Sequence, residues 1–265
     1  MSAPANLTGP LAKIVRAAEL KKEFGTAFDQ WIEEDPIGVK GRQDPDSDWF
    51  VMTFHILEPL PIRLGIIFGD MLNNLRGALD HLVWQLVLAN GERPTSGNSF
   101  PVVRDVRQWP RSRQSKLKGV SDRCADGIKE TQPFQSGRQA PFHWLALLNK
   151  MNNINKHRVI APVLISQFEW EPTFELNRAA EAEDQRVDDQ HPPAVGTALE
   201  DGQVLRRVKV VSPRGDLRIT RIQKEIPANV GLGFDTGMDM QGRTFPDFIE
   251  FVRRVVSRFE PLLEH

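Results

Sequence analysis

Apolar residues recur three and four positions apart in four segments of the chain, and this spacing predicts amphipathic α-helices. The four segments are Leu11–Glu34, Ile62–Asn90, Pro141–Ile160 and Phe245–Leu263. The second segment has the clearest separation between its two sides, because its leucines fall on one stripe and its polar residues on the other. These polar-side positions include Asp70, Asn73, Gly77, Asp80 and Trp84. We therefore expect the segment 62–90 to form the central helix of a helical core.

Elsewhere the apolar residues alternate with polar ones, which predicts β-strands. The predicted strands are Trp49–Leu57, Val163–Leu176, Gln203–Val211 and Leu217–Ile226. Because Ser212–Asp216 contains Pro and Gly, it is predicted to be a hairpin turn between the last two strands. Residues 178–200 are acidic and contain Pro, which predicts a mobile loop. Residues 92–140 are expected to be loop-rich, with short helical pieces near Val120–Lys129.

The order of these elements predicts an α+β protein: a helical bundle with an antiparallel β-sheet and a C-terminal helix packed back on it. The early strand must pair with the later ones, so residues 1–265 are expected to form a single composite unit. Within that unit the helical core with the polar motifs covers 62–162, the β-rich part covers 163–235, and the C-terminal helix covers 245–263.

Composition and charge exclude several classes of protein. The chain has 265 residues, 34 basic against 35 acidic side chains, and 40% hydrophobic residues, as expected for a folded protein with a sizeable core. The longest uncharged apolar stretch is far shorter than the roughly 20 residues of a membrane helix. The first ten residues lack the basic and apolar regions of a secretory signal, so a cytoplasmic protein is expected. Cys124 is the single cysteine, which excludes an internal disulfide framework.

One arrangement on the central helix points to a chemistry. Arg76 and His81 lie five positions apart in the stretch GDMLNNLRGALDHLVWQL. Histidine can take or give a proton near neutral pH, and arginine can hold a phosphate with two parallel hydrogen bonds. The bland alternative is a structural ion pair between Arg76 and Asp80, one helical turn apart, beside a partly exposed His81.

This stretch resembles the HEPN superfamily, helical bundles in which an Arg-x4–6-His motif marks metal-independent endoribonucleases. The resemblance implies cleavage of RNA by attack of the 2′-hydroxyl on the neighbouring phosphate, with His81 as the acid and base and Arg76 as the phosphate clamp. It also implies Asp80 as an orienting residue, a homodimer that brings two motifs together, and a toxin or phage-defence setting. Together with LNKMNNINKHR, the stretch also resembles a recurring pattern in uncharacterised bacterial proteins.

The predicted helix 141–160 is rich in asparagine, which is costly inside a helix unless it faces something polar. If the two helices pack side by side, Asn73 and Asp80 are expected to meet Asn153, Lys156 and His157. The alternative function that follows is a non-catalytic binding protein, whose Asn/His-lined pocket holds a small anionic ligand or a partner. Two further alternatives are a satisfied structural network and an interaction protein without a pocket.

A basic stretch after the central helix suits a nucleic-acid backbone, with an indole ring that could stack on a base. The expected RNA-binding residues are Arg104, Arg107, Trp109, Arg111, Arg113, Lys116 and Lys118. The alternative is a solvated charged face, since the net charge of the whole chain is only -1. No two metal ligands share a helix face at the usual spacing and no dinucleotide motif is present, so no metal and no cofactor are expected.

Overall fold

In this computed structural model, the structure describes residues 5–160, 162–166, 174–181, 183–190, 197–216, 218–222, 230–234 and 245–263. Within these ranges the α-helices are α1 (Thr8–Glu33), α2 (Ile62–Ala89), α3 (Trp109–Lys116), α4 (Asp122–Glu130), α5 (Trp144–Asn155) and α6 (Phe245–Ser257). The strands are β1 (Ile37–Gln43), β2 (Phe50–Ile56), β3 (Pro162–Ser166), β4 (Phe174–Leu176), β5 (Gln185–Gln190), β6 (Val204–Val211), β7 (Ile219–Ile222) and β8 (Val230–Phe234). The protein is therefore α+β, as the sequence predicts.

The chain divides into two compact units, each built from separated stretches of sequence. Unit 1 contains residues 1–26, 63–160 and 243–265, and unit 2 contains residues 27–62 and 161–242. Unit 1 is helical, and unit 2 holds the strands. The single composite unit expected from the sequence stays a prediction.

Unit 1 is organised around α2, whose apolar stripe is buried along its whole length, including Phe68, Leu75 and Leu82. The C-terminal helix α6 packs against α5 as expected, with the rings of Phe248 and Trp144 edge to face at 5.0 Å. No helix in the described part of the chain is long and apolar enough to cross a bilayer.

The main sheet of unit 2 has the strand order β1-β2-β6-β5, and all three neighbouring pairs are antiparallel. Phe50 lies opposite Val208, so the early strand pairs with a later one, as expected. The prediction of a hairpin between the last two strands is wrong. A turn does form, with the amide of Gly215 donating to the carbonyl of Ser212, but β6 is bonded on both edges by β2 and β5, and β7 pairs with β4.

Three other segments differ from the prediction for identifiable reasons. The strand β1 has the sequence IGVKGRQ, whose polar residues suit an edge strand exposed on one side and hide the alternating pattern. The loop-rich stretch contains α3, which is too short for a clear period, whereas α4 lies where a short helical piece is expected. Helix α5 begins at Trp144 instead of Pro141, because the side chain of His143 accepts the amide hydrogen of Leu145 and caps the helix.

The acidic stretch 178–200 is partly ordered by one arginine, although a mobile loop was expected there. The guanidinium of Arg178 donates to Asp184 at 2.9 Å and to Asp216 at 2.8 Å, and strand β5 follows within the same stretch. The side chain of Asp184 is 2% exposed, and it also accepts the amide hydrogen of Glu181 at 2.7 Å. These contacts join the start of the stretch to the turn after β6.

The same contacts predict a loss of stability in acid. Hydrogen bonds from Arg178 and from the Glu181 amide lower the pKa of Asp184 to about 2 from its ordinary 3.8. A lowered pKa stabilises the fold above the ordinary value, and this contribution disappears as the pH falls from about 4 to about 2. We expect Asp184→Asn to melt below the wild type at pH 6, with the difference closing by about pH 2.

The control for this prediction is Asp46→Asn, which removes an exposed aspartate of the same unit. Thermal melts of the three proteins across the pH range give the comparison. A gap between the wild type and Asp184→Asn that stays constant from pH 6 to pH 2 would contradict the assignment of this acid sensitivity to Asp184.

Candidate functional site

The polar side of α2 forms a solvent-exposed surface in unit 1, which we call the α2 face. Its residues are Asn73, Gly77, Asp80, His81 and Trp84, of which Asn73, His81 and Trp84 are exposed. Helix α1 borders the face on one side. A Cβ placed on Gly77 would lie 3.3 Å from the Nζ atom of Lys13, and a Cβ on Gly9 would lie 3.5 Å from Nδ1 of His81.

Arg76 lies at the opposite border of the α2 face and is tied to the chain after the helix. Its Nη2 atom donates to Oδ1 of Asp80 at 2.8 Å and to the carbonyl of Phe100 at 2.6 Å. The same Oδ1 accepts the amide hydrogen of Phe100 at 2.8 Å. Both polar groups of the Phe100 backbone are therefore held by one ion pair, and the orientation of Arg76 is fixed.

Positive charge is concentrated around this ion pair. The Arg76 side chain is only 11% exposed, and burial lowers the pKa of its guanidinium while Asp80 opposes the shift. Burial, followed by the positive charge of Arg76, also lowers the pKa of Lys116. Within the described residues, Nη1 of Arg76 is buried and has no hydrogen-bond partner. The single carboxylate of Asp80 thus faces two cations, Arg76 and Lys116. The resulting excess of positive charge favours the binding of an anion nearby.

His81 is exposed and stands away from Arg76. Five residues at about 100° each separate the two side chains by about 140° around the helix axis. Arg76 contacts Phe100, whereas His81 lies beside Gly9 of α1. A single chain therefore places the two residues of the motif on opposite borders of the α2 face.

The asparagine-rich end of α5 meets a different part of α2. Asn155 packs against Gly69, where a Cβ would lie 2.0 Å from its side-chain oxygen. His81 follows Gly69 by twelve residues, which is about 18 Å along the helix. The remaining polar residues of the predicted pocket are exposed, namely Asn73, Asn153, Lys156 and His157. Within the described residues, no hydrogen bond or ion pair joins Asn153, Lys156 or His157 to Arg76 or His81. Asn152 is the asparagine of α5 that is buried.

The basic stretch contributes fewer available groups than its sequence suggests. Trp109 is 5% exposed and packs edge to face against Phe134 at 6.2 Å, so its ring is closed to a base. Arg107 is bonded to Asp105, and Arg113 to Asp122. Lys116 is half-buried beside Arg76. Three exposed cations without an ion pair in the described ranges remain: Arg104, Arg111 and Lys118.

Unit 2 contains a cavity of about 480 Å³ that the sequence did not indicate. Its apolar lining includes Phe50 and Val208, and its polar lining includes the charged side chains of Asp44 and Lys209. The cavity exists because Phe50 and Val208 are paired across two strands far apart in the sequence. No local pattern of residues signals such a pairing.

Comparison of the chain with protein-family models, with curated proteins and with solved structures finds no match. Within the described residues, no three His, Cys, Asp or Glu side chains are grouped so that they could hold a metal ion.

Proposed function

We propose that the protein is a HEPN-like, metal-independent endoribonuclease in which His81 transfers the protons. The observation that carries this proposal is an exposed imidazole on a surface bordered by Lys13 on one side and by Arg76 on the other. A histidine in this position can reach a bound phosphodiester, and the positive charges at the two borders of the face favour the binding of that anion.

The reaction needs no group beyond the RNA and the protein. The neutral imidazole of His81 takes the proton of a 2′-hydroxyl, whose oxygen then bonds to the adjacent phosphorus. The bond between phosphorus and the 5′-oxygen breaks, and the imidazolium returns its proton to that oxygen. The products are a 2′,3′-cyclic phosphate end and a 5′-hydroxyl end.

The geometry changes the role proposed for Arg76. Its guanidinium is bonded to Asp80 and to the Phe100 carbonyl, so we assign it a fixed positive charge that also supports the backbone at Phe100. A homodimer is part of the proposal, because one chain separates Arg76 from His81 and a second copy could supply the missing neighbour.

The test is cleavage of an end-labelled structured RNA in excess EDTA. We expect the wild type to leave cyclic-phosphate ends, and His81→Ala to cleave about 10² to 10⁴ times more slowly. The matched control is His157→Ala, which removes another exposed histidine, in the turn after α5. It is expected to cleave like the wild type.

Two outcomes would contradict the proposal. If the wild type does not cleave, the protein is not an endoribonuclease. If all three proteins cleave equally, the cleavage comes from a contaminant. Circular dichroism of each variant establishes that a loss of cleavage is not a loss of folding.

A further inference from the structure

We propose that Trp84 stacks on an unpaired base, so that the α2 face binds single-stranded RNA with a phosphate next to His81. This inference rests on the proposed function, because it names the substrate class and the positioning residue of the same site. Trp84 was not among the RNA-binding residues expected from the sequence, where Trp109 had that role.

The exposure of Trp84 carries the argument. Its side chain is 44% exposed, whereas Trp31 and Trp109 are each 5% exposed and packed in the two cores. A large aromatic ring left in solvent on a polar helix face offers a flat surface on which any base can stack. Trp109 is buried, whereas Trp84 is an exposed ring on the same helix face as the proposed reactive group.

The position of Trp84 relative to His81 fits adjacent parts of one nucleotide chain. The two residues are three positions apart on α2, so their side chains are neighbours on the helix surface. Gly77 lies one turn before His81 on the same side of the helix, and Lys13 fills the space beside it. A ring, an imidazole and an ammonium group therefore follow one another along the face.

Stacking selects single strands over duplexes. In a duplex the faces of the bases are covered by their neighbours, whereas bases in loops and single strands can be turned outward onto an aromatic ring. A protein that holds its substrate through Trp84 should therefore prefer unpaired RNA, with modest dependence on sequence.

The test measures binding separately from cleavage by using His81→Ala as the parent protein. Fluorescence anisotropy gives its Kd for a labelled single-stranded oligoribonucleotide and for the duplex of the same sequence. Adding Trp84→Ala is expected to weaken single-strand binding by about tenfold or more, and Trp84→Phe is expected to restore most of it. The matched control is Ile66→Ala, which removes an exposed apolar side chain from the same helix eighteen positions away and should leave Kd unchanged.

Each result separates this inference from the proposed function. If binding depends on Trp84 but the wild type does not cleave, the inference is supported and the proposed endoribonuclease function is contradicted. Cleavage by a wild type whose binding does not change in Trp84→Ala overturns the inference alone. Equal affinity for single strands and duplexes also overturns it, as does a finding that Trp84→Ala abolishes only self-association of the chain.

Discussion

Replacing Gly65 with alanine is expected to lower the free energy of unfolding by about 3 kcal/mol, as for severe overpacking of a core. A Cβ at this position would lie 2.3 Å from the carbonyl oxygen of Ile160 and 2.9 Å from Cγ1 of Val159. The oxygen belongs to the backbone, so it cannot rotate away, and α2 would have to separate from the segment after α5. The same replacement in an unhindered helix would normally stabilise, because alanine favours the helix by about 1 kcal/mol.

The control is Gly25→Ala, inside α1, where nothing lies within 4 Å of the added Cβ. This variant should keep or slightly increase the stability of the protein, by up to about 1 kcal/mol. Urea unfolding of both variants at neutral pH gives the comparison. If the two replacements change the free energy of unfolding equally, the close approach of α2 to Ile160 does not exist in solution.

Asp80→Ala is expected to lower the free energy of unfolding by about 2 to 3 kcal/mol, somewhat less than for a fully buried pair because Asp80 is partly exposed. The change leaves the guanidinium of Arg76 without its counter-charge beside Lys116. It also removes the acceptor of the Phe100 amide. A buried donor without a partner loses the hydration it had in the unfolded chain and receives nothing in return.

A double-mutant cycle distinguishes this ion pair from a general effect of removing a carboxylate. Replacing both partners, as Asp80→Ala with Arg76→Met, should recover the part of the loss that comes from the uncompensated charge, because an apolar side chain needs no counter-charge. The Phe100 amide still lacks its acceptor in this double variant. Asp70→Ala removes an exposed carboxylate of the same helix and should change stability by less than about 0.5 kcal/mol. Additive losses from the Asp80 and Arg76 replacements would show that the two residues are energetically independent.

The helices could be predicted from the sequence because the burial of one apolar stripe determines the type of many residues at once. The segment expected at 62–90 is observed as 62–89, since its apolar stripe is buried and Gly91, at a φ of 73°, follows its end. The pairing of strands was less predictable. The hairpin expected around Ser212–Asp216 does not form between β6 and β7, because β2 and β5 occupy both edges of β6. These partners lie far from the turn in the sequence.

The part of the candidate site that depends on spacing along one helix could also be predicted from the sequence. The Arg76–Asp80 pair follows from a spacing of four on a helix, and its geometry is observed. The contact with Phe100 depends on a loop, and the burial of Trp109 depends on Phe134, which lies on another segment. Neither of these two contacts produces a recognisable pattern in the neighbouring sequence. The meeting of α5 with α2 is equally hard to predict, because its register depends on how closely Gly65 and Gly69 let the two segments approach. The polar pocket between the two helices stays a prediction.

The separated segments of unit 1 have a consequence for how the protein is made. About 90 residues lie between the end of α5 at Asn155 and the start of α6 at Phe245. At 5 to 20 residues per second, a ribosome needs about 5 to 20 seconds to synthesise them. During that interval Trp144 lacks the ring of Phe248, and the part of the helical core that α6 covers stays open. The nascent chain therefore exposes an apolar surface for a time that is long enough for a chaperone to bind it. The core closes only after α6 has left the exit tunnel.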